Sequence, residues 1–383
     1  MIPEEVLIMQ EKYLGADIPK LGFGLMRLPQ LADGSIDIEQ VKKMVDAYMD
    51  AGFTYFDTAW IYGNGASELA AKAALIDRYP RESYQIATKL PVWDYTTPED
   101  VRSMWQTSMD RTQLDYFDFY LLHNVNRNNI ADFDRLDVWG FVQDLKKQGY
   151  VKNAGFSFHD TAEMLDDILT KHPEVDFVQL QINYIDWDSE GVQSRKCYEV
   201  ARKHGKPVIV MEPVKGGALA ALSDEIKDIY KAVNPDLSVP SWAMRFVASL
   251  DGLVTVLSGM SNFEQMEDNL SYMKDFKPLN DAEYAAIAKA VDILNNTPTV
   301  PCTACKYCVD ECPQKINIPG IFKALNGYRV YKNIEKQTNN YNDAIKDGGA
   351  AKDCLECGLC ENHCPQHLDI RGLLKEASSV FDK

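Results

Sequence analysis

Eight of the nine cysteines fall in two runs with the same spacing, Cys-x2-Cys-x2-Cys-x3-Cys-Pro. Thiolates at this spacing are the ligands of [4Fe–4S] clusters, so the sequence predicts two clusters and a chain that handles electrons. In two-cluster ferredoxins the fourth cysteine of each run binds the other cluster. We therefore expect one cluster on Cys302, Cys305, Cys308 and Cys364, and the other on Cys354, Cys357, Cys360 and Cys312.

Zinc binding and disulfide formation are the alternatives for these cysteines. Zinc sites prefer Cys-x2-Cys pairs set well apart, and an intracellular chain seldom uses disulfides. A third and a fourth cysteine followed by proline, in both runs, favours iron–sulfur ligation. Cys197 lies outside both runs and is predicted to be a small buried apolar residue.

The cysteine runs belong to a longer duplicated unit, since residues 302–325 align with residues 354–377. After each run, apolar residues recur at i, i+3, i+4 and i+7, which predicts an amphipathic helix in each copy. Residues 319–347 also have a mostly helical pattern. The C-terminal segment therefore resembles a helical two-cluster ferredoxin.

The chain length, together with the turn-forming residues and proline at 295–298, predicts two domains, residues 1–296 and residues 297–383. Lysine and arginine balance aspartate and glutamate in the second, so the net charge of −17 falls on the first. This acidic body disfavours nucleic acid as a partner. The chain has no apolar run of 18 residues and has acidic residues where a signal peptide would be basic, which predicts a soluble, cytoplasmic protein without a membrane partner.

The first 296 residues alternate between short apolar runs and amphipathic helical stretches. Eight runs are candidate strands: 21–25, 54–58, 84–89, 117–123, 151–157, 176–182, 206–211 and 253–257. Eight successive strand–helix units favour a closed parallel barrel. The predicted fold class is α/β: a (β/α)8 TIM barrel followed by a small, mainly helical ferredoxin-like domain. Catalytic residues of such barrels lie at the C-terminal ends of the strands.

Four residues with side chains that could act in catalysis lie at or just after the ends of three consecutive predicted strands: Asp57, Tyr62, Lys89 and His123. Each alone has a structural explanation, as a helix cap, an interfacial aromatic, a snorkelling lysine or a buried core histidine. Their position at one rim of consecutive strands instead predicts a shared catalytic site.

The segments FDTAWIYG (56–63), IATKL (86–90) and YLLHN (120–124) carry these residues and resemble the signatures of the aldo-keto reductase family. The similarity extends over residues 14–290, and with the C-terminal module the chain resembles the iron–sulfur branch of that superfamily. The resemblance implies NAD(P)H-dependent reduction of a small aldehyde or ketone, or the reverse oxidation. Tyr62 would be the proton donor, assisted by Lys89 and Asp57, and His123 would orient the carbonyl oxygen.

The resemblance also implies an extended nicotinamide cofactor across the barrel mouth. Ser157 and Gln179 would hold the carboxamide, the Met211–Gly217 loop would lie along the pyrophosphate, and residues 259–269 would hold the adenosine end. The implied contact residues are Gly24, Ser157, Gln179, Met211, Lys215, Gly217, Gly259, Gln265 and Asn269.

Four positions depart from the family pattern. Phe158 replaces an asparagine, and Met211 replaces the aromatic that stacks on the nicotinamide. Gly259 and Gln265 replace the lysine and arginine that bind the 2′-phosphate in NADPH-specific members. Between NAD(H) and NADP(H), NADH is therefore favoured.

The electron count leaves the role of the clusters open. Hydride transfer moves two electrons, a cluster ordinarily changes by one, and the sequence has no recognisable flavin motif. The clusters can serve a ferredoxin or flavoprotein partner, stabilise the C-terminal fold or help to cover the site. The alternative function is a redox relay in which the barrel is a docking or sensing scaffold. Trp60, Trp93 and Tyr95 suggest an aromatic-walled substrate mouth.

Overall fold

The computed structural model describes residues 14–92, 96–302, 304–310, 312–364 and 366–382. The N-terminal segment interpreted above and the predicted mouth residues Trp93 and Tyr95 lie outside these ranges. The chain divides into two compact units. The first comprises Met1–Pro213 and Ser241–Asn280, and the second comprises Val214–Pro240 and Asp281–Lys383.

The first unit contains a closed barrel of eight parallel strands in sequential order, which confirms the predicted fold class. Each strand coincides with one of the eight predicted runs to within two residues at either end. The strands are β1 Leu21–Gly24, β2 Tyr55–Asp57, β3 Gln85–Leu90, β4 Phe117–Val125, β5 Val151–Phe158, β6 Phe177–Gln181, β7 Val208–Met211 and β8 Leu253–Ser258.

Sixteen α-helices lie within the described residues, and in the first unit they alternate with the strands. They are α1 Ile38–Asp50, α2 Ala66–Ala71, α3 Pro98–Thr112, α4 Ile130–Arg135, α5 Val138–Lys147, α6 Ala162–Lys171, α7 Ser194–Lys203, α8 Asp224–Val233, α9 Val239–Ala248, α10 Phe263–Met273, α11 Asp281–Asn296, α12 Tyr307–Asp310, α13 Ile318–Tyr331, α14 Ile334–Ile345, α15 Leu359–Asn362 and α16 Ile370–Phe381.

The barrel interior is filled by large side chains that alternate along the strands. Tyr55, Phe119 and Phe177 pack edge to face, with ring centroids 5.0 and 5.2 Å apart in successive pairs. Because these rings fill the barrel interior, polar functional groups are expected at the C-terminal ends of the strands. No helix in the described part of the chain is long and apolar enough to cross a membrane.

The second unit contains the duplicated segment, and its two copies have equivalent helices, α13 and α16. Asn317 caps α13 by accepting a hydrogen bond from the Gly320 amide, and Asp369 caps α16 by accepting one from Gly372. The predicted apolar faces are buried in one core that includes Ile318, Ile321, Phe322, Leu325, Ile370, Leu374 and Ala377. The repeat in the sequence is therefore a repeat in structure.

Candidate active site

Three consecutive strands and one turn position the four predicted catalytic residues. Asp57 is the last residue of β2, Lys89 lies near the end of β3, and His123 lies near the end of β4. Tyr62 begins a short 3-10 turn that follows β2. Because the strands are parallel and adjacent, the four side chains come from one rim of the barrel.

Lys89 is the centre of this group. Its ammonium donates hydrogen bonds to the Asp57 carboxylate and, at 2.7 Å, to the Thr58 carbonyl. The same nitrogen lies 4.7 Å from the centre of the Tyr62 ring. The Tyr62 and His123 rings meet edge to face with centroids 5.8 Å apart. The structure therefore brings all four residues together.

Burial and charge set the protonation states in this group. Burial disfavours the charged form of Lys89, but Asp57 and Tyr62 outweigh it and raise the pKa of the ammonium. Burial raises the pKa of Tyr62, although the charge of Lys89 opposes the rise. Burial, with Lys89 and His159, lowers the pKa of His123 well below its usual value. Near neutral pH the group therefore holds a protonated tyrosine, a neutral histidine and a charged lysine.

An irregularity in β4 fixes the end of the strand that carries His123. The β4–β5 register shifts between Leu122 and Val125, and Asn124 has a left-handed backbone with φ of 61°. The Asn124 amide donates a 2.8 Å hydrogen bond to the Ser157 hydroxyl. A bulge of this kind redirects a side chain at a barrel rim. Ser157, predicted as a cofactor residue, thus also ties the His123 segment to β5.

An ion pair between half-buried Arg111 and buried Glu68 stabilises the turn that carries Tyr62, and no sequence pattern indicates it. Glu68 is fully buried and accepts hydrogen bonds from Thr88, Ser108 and Arg111. The Arg111 guanidinium also donates to the Trp60 carbonyl at 2.8 Å. Gly65 has φ of 92°, and a side-chain carbon there would lie 2.4 Å from that guanidinium. Glycine is therefore required at this point of the turn.

Two of the predicted carboxamide contacts lie side by side. Ser157 of β5 and Gln179 of β6 are register partners, and both side chains are buried. Within the described residues, the Gln179 Oε1 atom is buried and accepts no hydrogen bond. A buried amide oxygen is normally satisfied. A donor such as the amide of a nicotinamide carboxamide group fits this unmatched acceptor.

The structure brings the β1 end and the segment after β8 together. A side chain at Gly24 would begin 3.7 Å from the Gly259 nitrogen, and one at Gly259 would meet the aliphatic part of Arg27 at 3.6 Å. Gln265 lies in the first turn of α10, where its Oε1 accepts a hydrogen bond from the Ser261 amide. Asn269 is buried on the same helix and donates to the Gln265 carbonyl.

The remaining predicted cofactor residues fall in different units. Met211 ends β7 in the first unit and is half-buried, and the adjacent departure, Phe158, is buried at the end of β5. Lys215 and Gly217 belong to the second unit. Both have left-handed backbones, with φ of 51° and 88°.

The eight cysteines of the two runs line two small cavities in the second unit. All nine cysteines of the chain are free thiols. The side chain of Ile318 lines both cavities. The first cavity is lined by Cys302, Cys305, Cys308 and Cys364, and the second by Cys312, Cys354, Cys357 and Cys360. These are the same two sets of four that the crossed assignment predicts.

The donor set of these cavities suits iron–sulfur clusters. Each cavity gathers four thiols of which one comes from the other run, and apolar residues such as Phe322 and Leu374 form the wall. Among the described residues, no three His, Cys, Asp or Glu side chains are close enough to share one metal ion. A [4Fe–4S] cubane does not require such a group, because each thiolate binds a different iron atom.

Comparison with known proteins agrees with this geometry. A profile described as the aldo/keto reductase family matches residues 20–292, which is most of the chain. The chain belongs to the aldo/keto reductase family. A second profile, described as a 4Fe-4S dicluster domain, matches residues 301–369. The chain thus combines a domain of this family with a C-terminal 4Fe-4S dicluster domain.

This aldo/keto reductase has curated relatives of low identity. It is 32% identical over 151 residues to "Probable aldo-keto reductase 1" of Glycine max, covering 37% of this chain and 42% of the relative. It is 22% identical over 306 residues to "D-threo-aldose 1-dehydrogenase" of Pseudomonas sp, covering 67% of this chain and 90% of that protein. The match spans about half the length of the first relatives, 42% and 54%.

Solved structures share the fold of this aldo/keto reductase. The holo form of aldo-keto reductase AKR11C1 from Bacillus halodurans aligns with a TM-score of 0.57 and 22% identity, over 73% of this chain and 95% of that one. An aldo-keto reductase from Klebsiella pneumoniae in complex with NADPH aligns with a TM-score of 0.58 and 20% identity, over 71% and 90%.

Proposed function

We propose that this chain catalyses NAD(P)H-dependent reduction of a small aldehyde or ketone, or the reverse alcohol oxidation. The observation that carries the proposal is the arrangement of Lys89 between the Asp57 carboxylate and the Tyr62 ring, with the His123 ring edge to face against Tyr62. No structural role requires a buried ion pair, a tyrosine and a neutral histidine at one strand-end rim. Carbonyl reduction uses all four.

Each residue has a distinct task in this proposal. A bound nicotinamide supplies the hydride, since no side chain can. Tyr62 keeps its proton until a developing alkoxide takes it, and Lys89 stabilises the tyrosinate that remains. Asp57 holds Lys89 in place. His123 is neutral, so it donates its N–H to the carbonyl oxygen without competing as a cation.

The proposed cofactor is a nicotinamide dinucleotide, with NADH favoured. Ser157 and Gln179 would hold the carboxamide, the Met211–Gly217 loop with Lys215 would lie along the pyrophosphate, and residues 259–269 with Gly259, Gln265 and Asn269 would hold the adenosine end. Gly24 is a further proposed contact. The unmatched Gln179 Oε1 supports the first assignment. The preference for NADH rests on Gly259 and Gln265, which offer no cation to a 2′-phosphate.

We propose that two [4Fe–4S] clusters on the eight cysteines exchange single electrons with a ferredoxin or flavoprotein. Cys305 and Cys357 are exposed, and so are the neighbouring apolar side chains of Tyr307 and Leu355. An exposed apolar residue beside a cluster suits a transient redox contact. We place this activity in the cytoplasm, where thiols remain reduced.

The first experiment is Tyr62→Phe, which removes one hydroxyl and keeps the ring. With aldehydes, ketones and quinones screened first by NADH consumption, the variant should lose on the order of 10²-fold or more in kcat on an authentic substrate. Iron content and NADH binding should stay near the wild-type values. Tyr150→Phe is the matched control, because Tyr150 is exposed and immediately precedes the start of β5, at the opposite end of the barrel.

Full turnover by Tyr62→Phe would contradict the proposed catalytic site. If the wild-type protein also binds no nicotinamide, the redox-relay function becomes the better account. In that case electrons would enter through the clusters, and the barrel would be a docking or sensing scaffold.

A further inference from the structure

The loop that follows β7 is hydrogen-bonded to the cluster-bearing module. Three consecutive carbonyls of this loop accept hydrogen bonds from two side chains at the start of α14. Asn333 Nδ2 donates to the Gly217 carbonyl at 3.0 Å. Lys336 Nζ donates to the Gly216 carbonyl at 2.5 Å and to the Lys215 carbonyl at 3.2 Å. All of these residues belong to the second compact unit.

The loop conformation explains why it needs such anchors. Lys215, Gly216 and Gly217 are all left-handed, with φ of 51°, 57° and 88°. A lysine rarely adopts this conformation unless its surroundings impose it. The turn closes on itself through the Gly217 amide, which donates to the Val214 carbonyl at 3.0 Å. The side chains of Asn333 and Lys336 then bind the carbonyls of residues 215–217.

Asn333 has two separable roles. Its Oδ1 accepts a hydrogen bond from the Lys336 amide and so caps α14, while its Nδ2 binds the loop. Aspartate is an equally good N-cap residue but has no donor for a carbonyl. Asn333→Asp therefore removes the loop contact and preserves the helix start.

Packed helices connect this anchor to the cluster cavities. Helix α14 approaches α13 so closely that a side chain at Gly327 would begin 2.3 Å from the buried Gln337 amide oxygen. Helix α13 supplies Ile318 to both cavities and Phe322 to the first. Clusters, α13, α14 and the loop thus form one continuous packed series within the unit.

We infer that Asn333 and Lys336 are positioning residues for the nicotinamide dinucleotide, and that affinity for it depends on assembly of the clusters. The inference rests on the proposed function, in which the loop after β7 runs along the pyrophosphate. A preformed loop binds a ligand without the entropic cost of ordering it. Clusters would order the module, the module would order the loop, and the loop would raise dinucleotide affinity.

The test compares matched variants on anaerobically purified, cluster-loaded protein. Asn333→Asp and Lys336→Met remove the loop contacts. Asn317→Asp makes the same change at the cap of α13, and Lys323→Met removes an exposed lysine from that helix. NADH dissociation constants, iron content and hydrogen exchange of the segment spanning residues 214–220 are measured for all five proteins.

We expect the two loop variants to bind NADH about three- to tenfold more weakly, the loss expected for one or two hydrogen bonds. Their loop amides should exchange faster, while iron content and the two controls stay at wild-type values. Removing iron with a chelator should weaken NADH binding by the wild type and leave the loop variants little changed further, because both changes release the same loop.

Two failures are distinguishable. If the cluster-loaded wild type binds NADH but all variants bind it equally, the positioning role is wrong and the proposed function stands. If the wild type binds neither NADH nor NADPH, both the positioning role and the proposed function are wrong. Additive effects of chelation and Lys336→Met would also overturn the inference, since they would require independent causes.

Discussion

The four proposed catalytic residues include a buried ion pair, which costs free energy of desolvation. Lys89 is 1% exposed and Asp57 is 2% exposed, so both charges have been removed from water. Burying such a pair seldom stabilises a protein relative to apolar side chains of similar size. The useful product of this burial is a fixed cation 4.7 Å from the Tyr62 ring. This geometry favours the proposed catalytic role of the pair over a role in stability.

The protonation states predict different pH profiles for the two directions of the reaction. Carbonyl reduction needs protonated Tyr62, and because burial raises its pKa above the ordinary value of 10, kcat for reduction should stay level from about pH 7 to pH 9. His123 stays neutral over that range because its pKa is lowered. Alcohol oxidation needs the tyrosinate, so its rate should rise with pH over the same interval.

Lys89→Met should raise the pKa of Tyr62 further by removing the cation that lowers it. Oxidation should then lose about 10²-fold and reduction somewhat less, with the rise in oxidation displaced to higher pH. Steady-state kinetics in both directions across pH measure this. Lys147→Met, at an exposed position of α5, is the control. An unchanged oxidation profile in Lys89→Met would separate Lys89 from the proton transfer.

At the level of elements, the strand ends were the part that sequence could predict. Asp57, Lys89 and His123 follow recognisable apolar runs, and parallel barrel strands end at one rim, so their meeting follows from pattern alone. The Arg111–Glu68 brace could not be found in this way. Its partners are separated by 43 residues, and each appears in sequence as an ordinary helix charge. The β4 bulge at Asn124 also carries no periodic signal.

The predicted preference for NADH over NADPH rests on the segment from β8 to α10. Gly259 and Gln265 provide no cation, and Gln265 is already engaged with the Ser261 amide. NADH should therefore bind tighter than NADPH, and calorimetry with both measures the difference. Arg245 cannot easily compensate, because it is buried and donates to the Lys277 carbonyl.

Arg27 is the residue to vary if the opposite preference is found. Its side chain is exposed and its aliphatic part lies beside Gly259. NADPH bound tenfold tighter, a difference of about 1.4 kcal/mol, would contradict the predicted preference. Loss of that advantage in Arg27→Met, with NADH binding unchanged, would then assign the 2′-phosphate to Arg27.

At the scale of the whole molecule, the two units differ in whether their elements are contiguous in the sequence. The barrel segment is a series of sequential strand–helix units, and local patterns predicted it well. The second unit combines a duplicated cysteine segment with residues Val214–Pro240, which precede it by some distance in the sequence. No composition shift marks those residues as partners of the cluster module. Their placement depends on hydrogen bonds and helix packing that only the structure reveals.

The crossed arrangement of the two cysteine runs has a consequence that iron content can test. Cys308 and Cys364 line one cavity, whereas Cys312 and Cys360 line the other. The double variant Cys308→Ala/Cys364→Ala should therefore damage one cluster only and retain about four of about eight irons. The matched double variant Cys308→Ala/Cys312→Ala should damage both clusters, although it changes residues of a single run.

Uncrossed ligation predicts the opposite result for the two double variants. Cys308 and Cys312 would then share a cluster, so the variant within one run would retain about half of the iron and the variant across the runs would damage both clusters. Iron and acid-labile sulfide per chain, determined on anaerobically isolated protein, distinguish the two schemes. Alanine is preferred to serine, since a serine oxygen can replace a thiolate as ligand. If the double variant within one run keeps half of the iron and the variant across the runs loses nearly all of it, the crossed assignment is wrong. Each cluster would then be held by the four cysteines of its own copy of the repeat.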